Sequence, residues 1–394
     1  MFPVDLSLLK GATHMPALPV LERSMSRPDL RLHDFCIPVN PYFPGPELLA
    51  DLRARLPDVL RYYPSDNRSI ASLLSRLIGI DPCNIVMANG STELITWLNA
   101  RFIGNDLVTD VPTFGRWTDN PRELGHKVHT YVRDSSRDFR IEIDELMRFT
   151  RSRNAQALAI CNPNNPTGAA FTRDELQKLL DATSYLELIV IDESFVDFVD
   201  EDEIPTVASD VVRRDNAIVI KSLGKNLGLH GLRCGYAVTN ERLARELRGV
   251  LPPWNVNALA EELIRLTVEA AADYEQSRRQ VVRDTRAFES QLAQLDGATP
   301  LPAHANFVYC ELDADIPGRE LRDVLLRQHG CVIRECGSKI GSTSQHLRIA
   351  TRPFGQQRLL IDAMRSVITT IRRNGVGLTH TVTVPSTYKC LSEV

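Results

Sequence analysis

No run of apolar residues in this 394-residue chain is longer than a strand needs, so nothing in it suits a bilayer span. Neither charge dominates. The formal net charge is −4, and no basic stretch points to nucleic acid or to an anionic membrane as a partner. The eight cysteines include no C-x-x-C pair, and Cys331 with Cys336 lacks histidines at zinc-site spacing. Scattered thiols of this kind are expected to be reduced, in a cytoplasmic setting. The first residues, "MFPVDLSLLKGATHMPALPV", lack a basic region followed by a long apolar core, so no secretory signal is expected there. Repeats and low-complexity segments are also missing. What remains is a chain long enough for one large domain or two, with ample core.

Between about residues 83 and 250, short apolar runs alternate with amphipathic stretches. "NIVMA" (Asn84 to Ala88) precedes the helical "STELITWLNARFI", and "AQALAI" (Ala155 to Ile160) precedes a Pro-Gly turn and "RDELQKLLDAT". "LELIVID" (Leu186 to Asp192) and "NAIVI" (Asn216 to Ile220) follow. This alternation implies an α/β domain with a largely parallel sheet covered by helices. From Asn255 to Leu295 the pattern is helical. "NFVYCEL", "CVIREC" and "HLRIA" then read as strands of a smaller α+β domain. The expected division is an arm over 1–45, a large domain over 46–265, a small one over 266–375 and a mobile tail over 376–394. The proline-rich arm is expected to cover the body.

In sheets of this kind ligands collect beyond the carboxyl ends of the strands. After "NIVMA", Gly90, Ser91 and Thr92 open a helix, with free N–H groups, two hydroxyls and the positive end of the dipole. They form either a phosphate site or a plain helix cap. After "AQALAI", "CNPNNPTG" is a rigid turn with more asparagine than a turn needs; Asn165 offers an amide, and Asn165–Pro166 is a candidate cis bond. Asp192 ends an apolar strand, where a poorly solvated carboxylate wants a cationic partner such as a protonated ring nitrogen; alternatively it caps the next turn. Past the fourth strand, "KSLGKNLGLHGLRCGY" sets two lysines, Lys221 and Lys225, in a glycine-rich turn. A lysine amine forms a Schiff base with an aldehyde. A phosphate cradle, a carboxylate for a ring nitrogen, an amide for a ring hydroxyl and an amine for an aldehyde together describe pyridoxal 5'-phosphate.

"CNPNNPTG", "DESFVDF" and "SLGKNLGLHGLRCGY", in that order, resemble the motifs of fold-type I pyridoxal-phosphate enzymes of the class I/II aminotransferase family. The resemblance runs from about Asp34 to Arg373 and is strongest to the subgroup of histidinol-phosphate aminotransferase and threonine-phosphate decarboxylase. It implies the aspartate aminotransferase fold, with a seven-stranded, mostly parallel sheet in the large domain. The family places an arginine eight residues after the Schiff-base lysine, and Arg233 stands eight after Lys225. By the same resemblance, Ser222, Arg233, Ser91 and Thr92 meet the cofactor phosphate, and Phe114 stacks on the ring. Asn165 reaches the ring oxygen, and Asp192 the ring nitrogen. Arg348 is implied to hold the substrate α-carboxylate, and Asn40, in the segment that enters the site, to bind the substrate. Tyr63 is implied to reach the phosphate of a neighbouring subunit, so a homodimer with shared sites is expected.

The reaction is chosen by which bond at Cα is held perpendicular to the ring. Phe195, in place of a tyrosine, "PPWNVNALAE" (Pro252 to Glu261) and Arg334, fourteen residues before Arg348, all resemble the decarboxylase. Its His-Gly-Gly start has only "KGATH" (Lys10 to His14) as a counterpart here, and "SLGKN" resembles the transaminases. Amino-group transfer on an anionic amino acid, phosphorylated or phosphonate if Arg334 reads a second anion, stands first, and α-decarboxylation second. Elimination or substitution at Cβ or Cγ is a third outcome. An aminotransferase-like transcription regulator would need a helix-turn-helix domain, and the segment before Asp34 is too short for one.

Overall fold

The computed structural model describes residue 9 and residues 16–25, 30–200 and 205–374. "KGATH" and the tail from residue 375 lie outside these. In chain order the strands are β1 (His33–Asp34), β2 (Ile85–Ala88), β3 (Asp106–Val111), β4 (Lys127–Val132), β5 (Ala157–Cys161), β6 (Leu188–Asp192), β7 (Ala217–Ser222) and β8 (Gly235–Val238). Beyond them come β9 (Ala298–Pro300), β10 (Phe307–Leu312), β11 (Cys331–Val332), β12 (Arg334–Glu335) and β13 (His346–Ala350).

The large sheet has seven strands in the order β2-β8-β7-β6-β5-β3-β4, and only β8 runs against the rest. Its central strands are apolar on both faces because both are covered. Ile189 and Ile191 of β6 join one core, while Leu188 and Val190 join the other. Such continuous runs mark a parallel sheet between helical layers. The helix Arg173–Ala182 begins at Thr172, whose hydroxyl and the Glu175 carboxylate exchange hydrogen bonds with each other's backbone N–H.

β3 and β4 did not stand out in the sequence. β3 carries Asp110, fully buried because Arg133 binds its carboxylate at 2.6 Å. That pairing is tertiary, so apolar patterning does not show it. "CVIREC" also proves to be two strands, not one. At Ile333 the chain leaves the pairing of β11 with β1 for the pairing of β12 with β13.

The small antiparallel sheet, β12-β13-β10-β9, packs on helices Ala271–Ala293, Gly318–His329 and Phe354–Asn374. The arm joins this body instead of merely covering it. Phe35 is wholly buried in the small core, its N–H bonded to the Val332 carbonyl at 2.8 Å. Farther along, the N–H of Asn40 bonds the Lys225 carbonyl at 2.8 Å. Gly228 makes this approach close: its φ is +67°, and an added Cβ would fall 1.8 Å from the Phe43 carbonyl oxygen.

Candidate active site

The carboxyl ends of β5, β6 and β7 stand side by side, with Cys161 opposite Asp192 and Asp192 opposite Ile220. Above them lies a cavity of about 230 Å³ whose lining includes Ser91, Thr92, Phe114, Asn165, Ser222 and Lys225. Arg233, Arg334 and Arg348 line it too. Sequence positions from 91 to 348 therefore converge on one space.

The two lysines are told apart by their surroundings. Lys221 is buried, with its ammonium 3.1 Å from the Asp197 carboxylate. Burial pushes its pKa down, but Asp197, Tyr236 and Glu193 outweigh this and raise it above that of an ordinary lysine. A lysine held protonated is no nucleophile. Lys225 opens onto the cavity, its Nζ 4.1 Å from the centre of the Phe195 ring and 5.8 Å from that of Phe114. Burial lowers its pKa to about 8, with Arg348 and Arg233 adding to the effect and Asp192 opposing it. A roomier cavity of about 350 Å³ lies around Lys221 and Asp197, but its lysine is the protonated one.

A pH dependence follows. Below about 8 the unprotonated fraction of Lys225 falls tenfold per unit, whereas an ordinary lysine begins to fall near 10.5. Capture of pyridoxal phosphate by the apoprotein, followed by growth of visible absorbance, should quicken up to pH about 8 and then level off. A rate still climbing at pH 10 would contradict the lowered pKa.

Asp192 sits at the end of β6, only 4 % exposed, and uses its two oxygens differently. Oδ1 accepts from Ser194 Oγ at 2.6 Å and Ser194 N–H at 3.1 Å, so the carboxylate does cap the next turn. Oδ2 accepts from Trp117 Nε1 at 3.3 Å. Asn165 is buried, and its Oδ1 accepts from Arg348 Nη1 at 2.6 Å. The cis bond in its turn is Asn162–Pro163, not Asn165–Pro166. Gly168 N–H closes on Asn164 O at 2.9 Å, a helix-like turn through Pro166 that takes a trans bond.

Helix Ser91–Arg101 takes Gly90 as its cap residue and has no side-chain cap, so the hydroxyls of Ser91 and Thr92 are not N-caps. Gly90 adopts φ +82°, and a Cβ there would fall 2.7 Å from Arg233 Nη2. Arg233 itself has φ 54°, a sparsely populated conformation for an arginine that places its guanidinium against the helix start. Free N–H groups, hydroxyls and a guanidinium brought together make a phosphate cradle, and a glycine keeps it open. With a neutralisable amine and an amide in the same space, and a buried carboxylate at the strand end behind it that acts on that amine, the donor set fits pyridoxal phosphate.

Of the expected residues, Gly90 and Asp192 stand behind the cavity wall, and Asn40 and Tyr63, the latter expected at a neighbouring subunit's site, stand farther off. Asn40 is off the cavity wall, for its amide is spent on structure. It donates to Asn226 O at 3.1 Å and Ser277 Oγ at 2.9 Å, and accepts from Tyr42 N–H at 3.0 Å. Tyr63 is 80 % exposed and stacks on Trp254 with ring centres 4.8 Å apart. Conversely, His230 and Lys339 line the cavity without having been singled out. Burial, and then Lys225 and Arg233, lower the His230 pKa to about 4, which keeps it neutral.

The family described as aminotransferase class I and II matches residues 44–364. The chain belongs to that family. Pyridoxal phosphate is accordingly the cofactor of this aminotransferase-family protein, and the protein is an enzyme. The L-serine phosphate decarboxylase of Campylobacter jejuni is 28% identical over 378 residues, covering 92% of this chain and 95% of that one. The CMP-5'-(3-aminopropyl)phosphonate synthase of Streptomyces rubellomurinus is 33% identical over 338 residues, or 85% of this chain. This chain spans only about half, 53%, of that relative's length. Among solved structures, L-threonine-O-3-phosphate decarboxylase from Porphyromonas gingivalis superimposes with a TM-score of 0.74 at 26% identity, covering 86% of this chain and 100% of that one. The resemblance read from the three motifs is borne out. Among the described residues, no helix is long and apolar enough to cross a membrane.

Proposed function

We propose that the enzyme acts at Cα of an α-amino acid bearing a second anion, a phosphate or phosphonate, and that it removes the α-carboxylate. One observation carries the substrate class. Arg334 and Arg348 are directly opposite in the antiparallel pairing of β12 with β13, and both line the cavity. Directly opposed residues share a sheet face, so two guanidinium groups meet one small ligand. Arg348, steadied by Asn165 and by the Cys36 carbonyl at 2.7 Å, is assigned the α-carboxylate. Arg334 is assigned the distal anion.

Bound pyridoxal phosphate supplies the electron sink for charge left at Cα. Lys225 is the amine that takes its aldehyde, and Asp192 holds the proton on its ring nitrogen. Ser91, Thr92, Ser222 and Arg233 hold its phosphate. Phe195 puts an apolar ring beside Lys225, where a tyrosine would put a hydroxyl. Relatives named as phosphate decarboxylases support loss of carbon dioxide as the first reading. Amino-group transfer, which the sequence alone put first, is the second reading, favoured by the transaminase form of the Ser222–Asn226 segment.

The exposed Tyr63–Trp254 stack, with Tyr62 and Leu60 exposed beside it, is read as the surface where a second subunit docks. We place the enzyme in the cytoplasm, on the unpaired thiols among its described residues.

The test is product analysis with O-phospho-L-serine, O-phospho-L-threonine and 2-amino-phosphono acids, with and without a 2-oxo acid acceptor. Carbon dioxide released without acceptor is expected; a new 2-oxo acid formed only with acceptor would select transfer. Arg348→Ala should harm every substrate alike. Arg334→Ala should cost roughly 30-fold or more in kcat/KM on the doubly anionic substrate, and much less on an uncharged analogue.

A further inference from the structure

The loop between β12 and β13 carries a third cation. Lys339 is half-buried as a residue, but its Nζ lies inside the protein and donates to the Thr113 carbonyl at 2.7 Å. It lines the same cavity as Arg334 and Arg348. The loop is fixed from both sides. Lys339 N–H bonds Cys336 O at 3.0 Å, and Ser342 N–H bonds Lys339 O at 3.1 Å. Gly341, at φ +79°, presses on the end of β3, where an added Cβ would be 3.0 Å from Pro112 N. The loop is thus rooted in the small sheet and clasps the large one, just before Phe114.

Two of the three, Lys339 and Arg348, have neutral partners. Lys339 bonds a carbonyl, and Arg348 bonds an amide oxygen and a carbonyl while its Nε is buried with no partner among the described residues. Thr113 takes one of the three hydrogens of the Lys339 ammonium, and two remain. Gathering positive charges in a closed space is costly unless an anion enters it. Burial lowers the Lys339 pKa to about 8; Cys336 opposes this, and the positive charges of Arg348 and Arg334 add to it. An α-carboxylate answers one cation. Two more cations suit a group with two negative charges better than a group with one.

We propose that Lys339 is a specificity-determining residue that binds the distal phosphate or phosphonate together with Arg334 and selects it over a distal carboxylate. This rests on the anionic amino-acid reading above. The loop geometry fixes the ammonium in the site, because the loop is held against the Thr113 carbonyl and, through Gly341, against the end of β3.

The experiment uses the holoenzyme with Lys339→Met, Lys339→Arg and Arg334→Ala, each checked for folding by circular dichroism. The substrates are whichever phosphorylated amino acid the wild type turns over fastest, L-glutamate, and an uncharged analogue of similar length. Binding of inorganic phosphate is read separately by competition. Lys339→Met should raise KM for the phosphorylated substrate at least roughly 10-fold with a smaller change in kcat, and weaken phosphate competition in parallel. Lys339→Arg should recover much of both. The preference for phosphorylated substrate over L-glutamate should shrink by a similar factor. If the wild type prefers the phosphorylated substrate and Lys339→Met keeps that preference, the lysine proposal falls while the substrate reading stands. A wild type without that preference overturns the substrate reading and the proposal with it.

Discussion

Lys225→Ala should yield a folded protein that no longer forms a borohydride-reducible adduct with pyridoxal phosphate, and whose turnover drops on the order of 10⁴-fold or more. Lys221→Met should do the opposite. Asp197 would lose the partner that now sits 3.1 Å away, and breaking a buried ion pair costs about 3–5 kcal/mol of stability. Its melting temperature should fall, yet its visible absorbance and reducible adduct should survive. Absorbance spectra before and after borohydride, with a thermal melt for each variant, separate the two residues. An adduct kept by Lys225→Ala and lost by Lys221→Met would reverse the assignment.

Asp192→Asn tests the carboxylate without altering its shape. An amide oxygen can still accept the hydrogen bonds from Ser194 at 2.6 and 3.1 Å, so the turn should persist, although the amide NH2 would face the Trp117 N–H and lose that bond. What goes is the negative charge assigned to the ring nitrogen. Losing such preorganised charge stabilisation is worth about 3–4 kcal/mol, or roughly 10²–10³-fold in kcat. Cofactor binding by absorbance and turnover under saturating substrate should therefore part company. Near-normal turnover would remove Asp192 from the chemistry and leave it as a turn cap.

The strand ends were legible because their chemistry is local. Asp192 directly follows one apolar run, and Ser222 and Lys225 stand two and five residues past another, which ends at Ile220; a parallel sheet brings such ends together whatever lies between them in sequence. Lys339 was not legible, since its meaning depends on Thr113, 226 residues away. β3 was hidden for a related reason, because Asp110 looks like a loop residue until Arg133 is set beside it. Asn40 lies in the expected segment but off the cavity wall. The motif marks where the arm passes Lys225, but only the geometry shows that its amide is used up by Asn226, Ser277 and Tyr42. The dihedral of Arg233 likewise cannot be read from its letter, although its spacing from Lys225 can.

The arm has a consequence for how this protein can vary. Cys36 offers its carbonyl to Arg348 at 2.7 Å, and Asn40 gives its N–H to the Lys225 carbonyl at 2.8 Å. A short stretch of backbone therefore acts as a gauge block between the arginine assigned to the substrate and the lysine assigned to the cofactor. Both contacts are main-chain at the arm, so the side chains between them can drift with little effect on the spacing. Length cannot drift in the same way. One residue added or removed between 36 and 40 would supply or withdraw about 3.5 Å of chain, more than a hydrogen bond can absorb. Substitutions that keep the bulk of Cys36, Ile37 and Pro38, which line the cavity, are compatible with the same active-site dimensions; gaps are not.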